Sequence, residues 1–191
     1  MSDAAAGDFL ARLTAKLTSA RIPHMVVGSF ASSFHGIPRS SQDLDLVIDP
    51  DERALRRFLE SLPVEEYYAD ADAALDALRR QSQFNVIDMA TAWKADLILR
   101  RRRPFSIEEM RRSIEGDLLG TRVLVASPED TVISKIEWSK SGGGTDLQLR
   151  DAAGILAVRG ATLDMAYIER WVAELGLGDL WDRVRRDSAA R

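Results

Sequence analysis

Two stretches of sequence decide the fold: VVGS at Val26–Ser29 and DLDLVID at Asp43–Asp49. In the second stretch, acidic and apolar residues alternate, and this is the pattern of a half-buried β-strand. Such a strand carries the carboxylates of Asp43 and Asp45 on one face, with their Cα atoms about 6.5–7 Å apart. Two carboxylates in this arrangement can share one cation. An isolated Asp-x-Asp is also typical of a solvated strand face.

The first stretch ends an apolar run that begins at His24. It predicts a buried strand over 24–27 that turns at a Gly-Ser loop into a short helix over 30–34. A helix N-terminus offers free N–H groups and positive potential to a phosphate. Gly28 lets the backbone come close, and the Ser29 hydroxyl can donate to a phosphate oxygen. Gly-Ser alone is a turn, and it gains meaning from its position upstream of Asp43, with thirteen residues between Ser29 and Asp43.

Composition restricts the classes of protein to consider. The 191 residues are 46% hydrophobic and 29% charged, which is typical of a soluble globular chain. The lack of cysteine excludes disulfides, thiolate zinc sites and a cysteine nucleophile. A net charge of −4 argues against a protein that coats nucleic acid. Without a signal segment or a membrane-length apolar run, we expect a cytoplasmic protein with no membrane partner.

The periodicity along the chain predicts an α+β fold. An opening helix over 8–20 is followed by strands over 24–27, 43–49, 83–89, 94–99 and 122–125 and by helices over 50–62 and 71–80. Ser127 is an expected N-cap with Pro128 at the first helical position. Gly142–Gly144 are expected to form a flexible loop, and the chain is helical in pattern after it. We therefore predict an α+β unit over 1–126 and a helical unit over 127–191.

Together, the two opening stretches resemble the signature of the polymerase-β nucleotidyltransferase superfamily: strand, Gly-Ser, short helix, then Asp-x-Asp on the next strand. The intervening residues resemble the branch that contains minimal bacterial nucleotidyltransferases and AbiEii-type toxin enzymes; they are Ala31, His35-Gly36, Pro38-Arg39 and Ser40-Ser41. The resemblance implies a mixed β-sheet flanked by helices, with the helical C-terminal part completing the nucleotide site.

The resemblance also implies a third carboxylate on a later strand, which activates the attacking hydroxyl or helps to hold the metal. Asp96, in the apolar strand Lys94–Leu99, is the candidate, and Asp88 is its rival. Asp43, Asp45 and Asp96 would then be the catalytic residues and the ligands of Mg²⁺ or Mn²⁺. A few carboxylates together with substrate phosphates are the usual ligands of magnesium.

Four residues are expected at the nucleoside triphosphate: Gly28, Ser29, Arg39 and Lys135. In the family, the helical part supplies a lysine to the triphosphate, and Lys135 lies in a stretch that resembles it. The helix that follows resembles a further acidic element of the toxin-like branch, with residues Asp146, Gln148 and Asp151.

Two basic features remain. The arginine run Arg100–Arg103 follows the strand of Asp96, and we expect it at the end of the strand that faces the site, where it would grip RNA or a second substrate. A solvated edge that discourages strand pairing is the alternative. His24 and His35 have no partners at metal-ligand spacing, so packing or capping roles are expected.

The function implied is transfer of a nucleoside monophosphate from an NTP to a hydroxyl acceptor, RNA, tRNA or protein, by two-metal catalysis. The antibiotic-modifying and minimal branches commonly follow Gly-Ser with Arg-Gly, whereas this chain has Phe30-Ala31. That difference favours the toxin-like branch and an antitoxin partner over a small antibiotic acceptor. The alternatives are a non-catalytic nucleotide- or partner-binding module of the same fold, and an RNA-binding protein that uses the arginine run.

Overall fold

The computed structural model describes residues 3–142 and 145–190 of the chain, which form two compact units. Unit 1 takes the described residues up to Val26 together with Ser41–Val125. Unit 2 takes Val27–Ser40 and the described residues from Ala126 onwards. Residues 143 and 144 of the predicted glycine loop lie outside the described residues.

Unit 1 contains all the strands together with four helices, and the regular elements in the described part of unit 2 are helices. The helices are α1 (Asp3–Ser19), α2 (Gly28–His35), α3 (Glu52–Glu60), α4 (Ala71–Arg80), α5 (Pro104–Arg111), α6 (Pro128–Lys140), α7 (Thr145–Arg159), α8 (Met165–Glu174) and α9 (Gly178–Ala189). The strands are β1 (His24–Val26), β2 (Asp43–Ile48), β3 (Tyr67–Ala69), β4 (Gln83–Asp88), β5 (Lys94–Leu99), β6 (Ile114–Leu118) and β7 (Thr121–Val125). The α+β class is confirmed.

The sheet of unit 1 is mixed, with the strand order β3-β4-β5-β2-β1-β7-β6. Strand β2 pairs in parallel with β5, and β1 pairs in parallel with β7, whereas the other pairs are antiparallel. The parallel β2–β5 pair lies near the middle of the sheet, although β3 and β4 separate these strands along the chain. This crossover puts the two strands that bear Asp43 and Asp96 side by side.

Unit 1 buries the apolar faces that periodicity predicts. On α1, a stripe at helical spacing is fully buried, with residues Phe9, Leu10, Leu13 and Leu17. On β2, the residues between the carboxylates are fully buried as well, so that Leu44 and Leu46 anchor one face of the strand in the core. The opposite face is left to Asp43 and Asp45, which are only partly buried.

Unit 2 is built on α6 and α7, against which α2 packs. The Ser127 side chain caps α6 by accepting from the backbone N–H of Asp130 at 3.1 Å, as the sequence predicts. Gly36 ends α2 where the chain comes close to α7, because a Cβ at this position would lie 2.8 Å from the backbone N of Ile155. A larger residue at Gly36 would push α2 and α7 apart.

The structure contains three elements that periodicity did not predict: β3, α5 and β6. Strand β3 lies at the sheet edge and has three residues, which are too few for an alternating pattern to be recognised. Strand β6 is also an edge strand and contains a glycine. Leu119 and Gly120 both have positive φ, 53° and 77°, and form the two-residue turn from β6 to β7.

No described helix has the length and apolar character that crossing a membrane requires.

Candidate active site

Strand register gathers four charged residues on one face of the unit 1 sheet. In the parallel β2–β5 pair, Asp43 lies opposite Lys94 and Asp45 lies opposite Asp96. Residues opposite each other in a ladder share a face, as do residues two apart on a strand. Asp43, Asp45, Lys94 and Asp96 therefore form the corners of one patch, which we call the carboxylate face.

Lys94 supplies the cation of the carboxylate face. Its Nζ lies 3.4 Å from Oδ2 of Asp43 and 3.2 Å from Oδ1 of Asp96, and it donates to Oδ2 of Asp96 at 3.4 Å. Burial alone would lower the pKa of Lys94, but the hydrogen bond to Asp96 and the two negative charges raise it. Lys94 is thus a cation at neutral pH. The sequence shows that Lys94 alternates with Asp96 on one strand, but not that it lies opposite Asp43, which follows from the strand pairing.

The donor set of the carboxylate face suits a hard divalent cation. Three carboxylates offer only oxygen ligands, which magnesium and manganese prefer. Oδ1 of Asp96 is buried and accepts no hydrogen bond from the described residues, even though the Lys94 ammonium is near, because the two groups are not aligned for one. Among the residues that the structure describes, however, no three His, Asp or Glu side chains are gathered closely enough to hold one metal ion. The residues fit the metal in chemistry, and their carboxylates are spread around Lys94.

Asp88, the rival third carboxylate, lies on the other face of the sheet. In the β4–β5 pair, Asn85 lies opposite Asp96, and Asp88 is three residues further along β4, so it points the opposite way. It is 1% exposed and forms an ion pair with Arg12. Burial would raise the pKa of Asp88, but the Arg12 hydrogen bond and two backbone N–H donors lower it. Asp88 is engaged in packing α1 onto the sheet.

The arginine run does not lie where we expected it. The carboxylate face occupies the first residues of β2 and β5, whereas Arg100 follows the last residue of β5. Arg100 is the fourth residue after Asp96, or about 13 Å further along a strand. Arg100 forms an ion pair with Asp49 just beyond the end of β2, at 2.8 Å. The expectation was wrong because the carboxylates stand at the start of a strand and the arginines at its end.

In unit 2, the Gly-Ser turn begins α2. Gly28 is the first helical residue and has φ 64°, a left-handed conformation that glycine adopts without strain. The N-cap residue is Val27, whose side chain makes no cap hydrogen bond. Ser29 is 5% exposed. An anion at this N-terminus would meet backbone N–H groups, as the Gly-Ser motif predicts.

Arg39 and Lys135, the basic residues expected at the triphosphate, converge within unit 2 on Asp151. The Asp151 carboxylate accepts from Nε of Arg39 at 3.0 Å and from Nζ of Lys135 at 2.8 Å. Lys135 and Asp151 are buried, with side chains 6% and 7% exposed. Burial would raise the pKa of Asp151, but the hydrogen bonds from Arg39 and Lys135 lower it. We call these three residues the Asp151 cluster.

Both histidines have the packing roles that were expected. His35 donates from Nε2 to the carbonyl oxygen of Ala126 at 2.8 Å within unit 2, and His24 contacts the Ile22 carbonyl through Nδ1 at 2.8 Å within unit 1. Burial lowers the pKa of both residues. Each ring is therefore neutral at physiological pH.

Comparison with known proteins identifies the fold. The chain matches no family model and no curated protein. Among solved structures, an antigenic nucleotidyltransferase-like protein from Paracoccidioides brasiliensis is similar, with a TM-score of 0.56 and 17% identity over 94% of this chain and 91% of that chain. The fold is nucleotidyltransferase-like. ANT(2″)-Ia in complex with adenylyl-2″-tobramycin matches with a TM-score of 0.48 and 14% identity over 97% of this chain and 96% of that chain, too distantly to carry an argument.

Proposed function

We propose that the protein is a nucleotidyltransferase that moves a nucleoside monophosphate from an NTP to a hydroxyl acceptor. The observation that carries the proposal is the register of β2 and β5, which aligns Asp45 with Asp96 next to Asp43. Three carboxylates on one sheet face, in a nucleotidyltransferase-like fold, are the oxygen ligands that phosphoryl transfer with Mg²⁺ or Mn²⁺ requires.

All three carboxylates are metal ligands in this proposal, and one of them also takes a proton. Asp43, Asp45 and Asp96 would hold the cation, which when bound neutralises charge on the triphosphate and its leaving group. A bond forms between the acceptor oxygen and the α-phosphorus, the bond from that phosphorus to the bridging oxygen breaks, and pyrophosphate leaves. Asp96 also takes the hydroxyl proton, and its buried Oδ1 accepts no hydrogen bond from the residues that the structure describes. Most of the acceleration would come from positioning and charge neutralisation.

Gly28, Ser29, Arg39 and Lys135 are proposed to bind the phosphates. The support for Gly28 and Ser29 is the helix N-terminus that they form, without a side-chain cap from Val27. The support for Arg39 and Lys135 is that both are cationic and converge on the single carboxylate of Asp151, at 3.0 Å and 2.8 Å. Two cations brought together in this way are groups that can bind a phosphate.

The acceptor proposed is RNA, tRNA or protein, and the protein is proposed to act as the toxin of a toxin–antitoxin pair. The support is the resemblance to the AbiEii-type branch and the Phe30-Ala31 pair in place of Arg-Gly. Expression of the wild type and of Asp45→Asn in a bacterial host checks this role. Growth arrest by the wild type alone is expected, and unaffected growth with active, soluble wild-type protein would remove the toxin role.

A second candidate function is a nucleotide- or partner-binding module without catalysis. One observation favours it: Asp43 and Asp96 already share the Lys94 ammonium, so part of their negative charge is neutralised within the protein. Such a module would bind a nucleotide and transfer nothing.

The deciding experiment incubates the protein with each α-labelled NTP, Mg²⁺, and either total RNA or lysate protein. We expect label in one of the two fractions and its loss, by a factor of at least about 10², in Asp45→Asn. That variant keeps the size of the side chain, and its circular dichroism should match the wild type. Nucleotide binding without labelling of either fraction would favour the module, and equal labelling by Asp45→Asn would refute the assigned carboxylates.

A further inference from the structure

The Lys94 ammonium contacts two carboxylates on two strands, whereas a simple surface ion pair joins one ammonium to one carboxylate. Its ammonium lies 3.4 Å from the nearest oxygen of Asp43 and 3.2 Å from that of Asp96, so one cation is shared by two strands. The Lys94 side chain is 32% exposed, and that of Asp43 is 47% exposed. The shared cation is therefore open to exchange with solvent ions.

The lysine leaves the oxygens incompletely satisfied. Oδ1 of Asp96 is buried 3.2 Å from the ammonium, and it accepts no hydrogen bond within the described part of the chain. A buried acceptor without a hydrogen bond is costly, and a compact ammonium on a flexible stem can satisfy only oxygens aligned with its three N–H bonds. A divalent ion has no N–H bonds to align, so it can bind oxygens from several directions, and it carries twice the charge of the ammonium. The oxygens thus favour a cation other than Lys94 once one is present.

We propose that Lys94 is a built-in competitor for the divalent cation: its ammonium occupies the cation position between Asp43 and Asp96 and leaves when the ion binds. The proposal rests on the proposed function, in which these carboxylates are metal ligands. Lys94 then sets the affinity for the ion, because displacing it costs both of its ion pairs. It also neutralises the carboxylates when no ion is bound, and so limits their mutual repulsion.

Binding of Mn²⁺ alone to the purified full chain tests the proposal by calorimetry. In Lys94→Met, which keeps the length of the side chain but removes the charge, we expect the Kd for Mn²⁺ to fall about ten-fold, equivalent to about 1.4 kcal/mol. Lys16→Met is the matched control, since it removes one lysine charge from unit 1, where Lys16 donates to the Ser61 carbonyl away from the carboxylates. Its Kd should stay within about two-fold of the wild type.

A second measurement follows Lys94 itself. In protein labelled with ¹³C-lysine, the Lys94 ε-methylene NMR signal should shift towards that of an exposed lysine as Mg²⁺ is added, and the other lysine signals should not follow it. Should Lys94→Met fail to fold, Lys94→Gln provides the same loss of charge with a polar side chain.

The outcomes separate the two proposals. Tighter Mn²⁺ binding by Lys94→Met, together with an unchanged Lys16→Met, supports the role of Lys94. If the wild type binds Mn²⁺ but Lys94→Met binds it no more tightly, the role of Lys94 is overturned and the proposed metal site stands. Absence of Mn²⁺ binding in every variant, with or without nucleotide, would overturn the metal site and the role of Lys94 together.

Discussion

The carboxylate face and the Asp151 cluster use the same chemical groups and differ in burial and in how fully their hydrogen bonds are made. On the carboxylate face, Lys94 is about a third exposed and is 3.2–3.4 Å from its acidic neighbours. In the Asp151 cluster, Lys135 is 6% exposed and donates at 2.8 Å to a carboxylate that is also bound by Arg39. The exposed group of charges can exchange its cation, whereas the buried one holds its charges in fixed positions.

The energetics of the two regions should differ accordingly. Removal of one partner from a buried ion pair leaves the other charge buried and uncompensated, and this is strongly destabilising. An exposed pair contributes little, because water replaces the lost partner. We therefore expect substitutions in the Asp151 cluster to lower the free energy of unfolding more than substitutions on the carboxylate face, and urea denaturation can test this difference.

The largest effect is expected for Asp151→Ala. Loss of this carboxylate leaves the buried Lys135 ammonium without its ion pair, so the free energy of unfolding should fall by about 3–5 kcal/mol. Asp43→Ala, on the carboxylate face, is the matched control and should change it by less than about 1 kcal/mol. Denaturation by urea measures both. Equal losses in the two variants would show that burial does not separate the two regions as described.

The next effect concerns activity, and it contrasts Asp96 with Asp88. Asp96→Asn should reduce the labelling rate in the transfer assay by about 10²–10³-fold, because a group positioned at the reacting centre is lost. Asp88→Asn, on the opposite face of the same sheet, should keep the activity of the folded protein and lower its stability instead, since Arg12 loses its buried acidic partner and keeps only the exposed Asp8. Transfer rates per mole of folded protein, measured beside melting curves, distinguish the two. A larger activity loss in Asp88→Asn would reverse the assignment.

The sequence predicts which of these site residues share a face within one strand, but it does not predict how the two strands pair. Alternation in DLDLVID is sufficient to put Asp43 and Asp45 on one face, and the KADLIL pattern puts Lys94 and Asp96 on one face of their own strand. Which face of β5 adjoins which face of β2 depends on a parallel pairing that skips two intervening strands. Periodicity along the chain carries no information on that register. The choice between Asp96 and Asp88 stayed open for this reason.

Lys94 and Asp151 both have contacts that local sequence patterns do not reveal. Lys94 contacts Asp96 within its own strand, but its position opposite Asp43 arises only when β2 and β5 pair. Asp151 was noted only as part of an acidic element, because Arg39, its partner, is 112 residues away in the chain. The turn from β6 to β7 was within reach, since Leu119-Gly120 separates two short strands as a hairpin turn does. Attention to that turn would have predicted β6.

The smallest expected effect is a pH dependence of the free energy of unfolding, which arises from protonation of His35 in unit 2. Burial lowers the pKa of His35 below its ordinary 6.5, despite the hydrogen bond to Ala126, and its Nδ1 has no hydrogen-bond partner among the described residues. Between the two pKa values the unfolded chain binds more protons than the folded one, so stability rises with pH and is lost as pH falls below 6.5. The slope contributed by this one group is at most about 1.4 kcal/mol per pH unit.

His35→Gln, compared with the wild type by urea denaturation at pH 7.5 and pH 5.5, checks this dependence. The variant should be less stable at pH 7.5, where it loses the packing of the ring, and should lose less on acidification. His24→Gln is the matched variant in unit 1, because burial lowers the pKa of His24 as well. Asp151 cannot cause a loss in this range, since its pKa lies below the ordinary carboxyl value and its contribution fades only in stronger acid. An unchanged slope in His35→Gln would therefore locate the pH dependence outside the buried groups of unit 2.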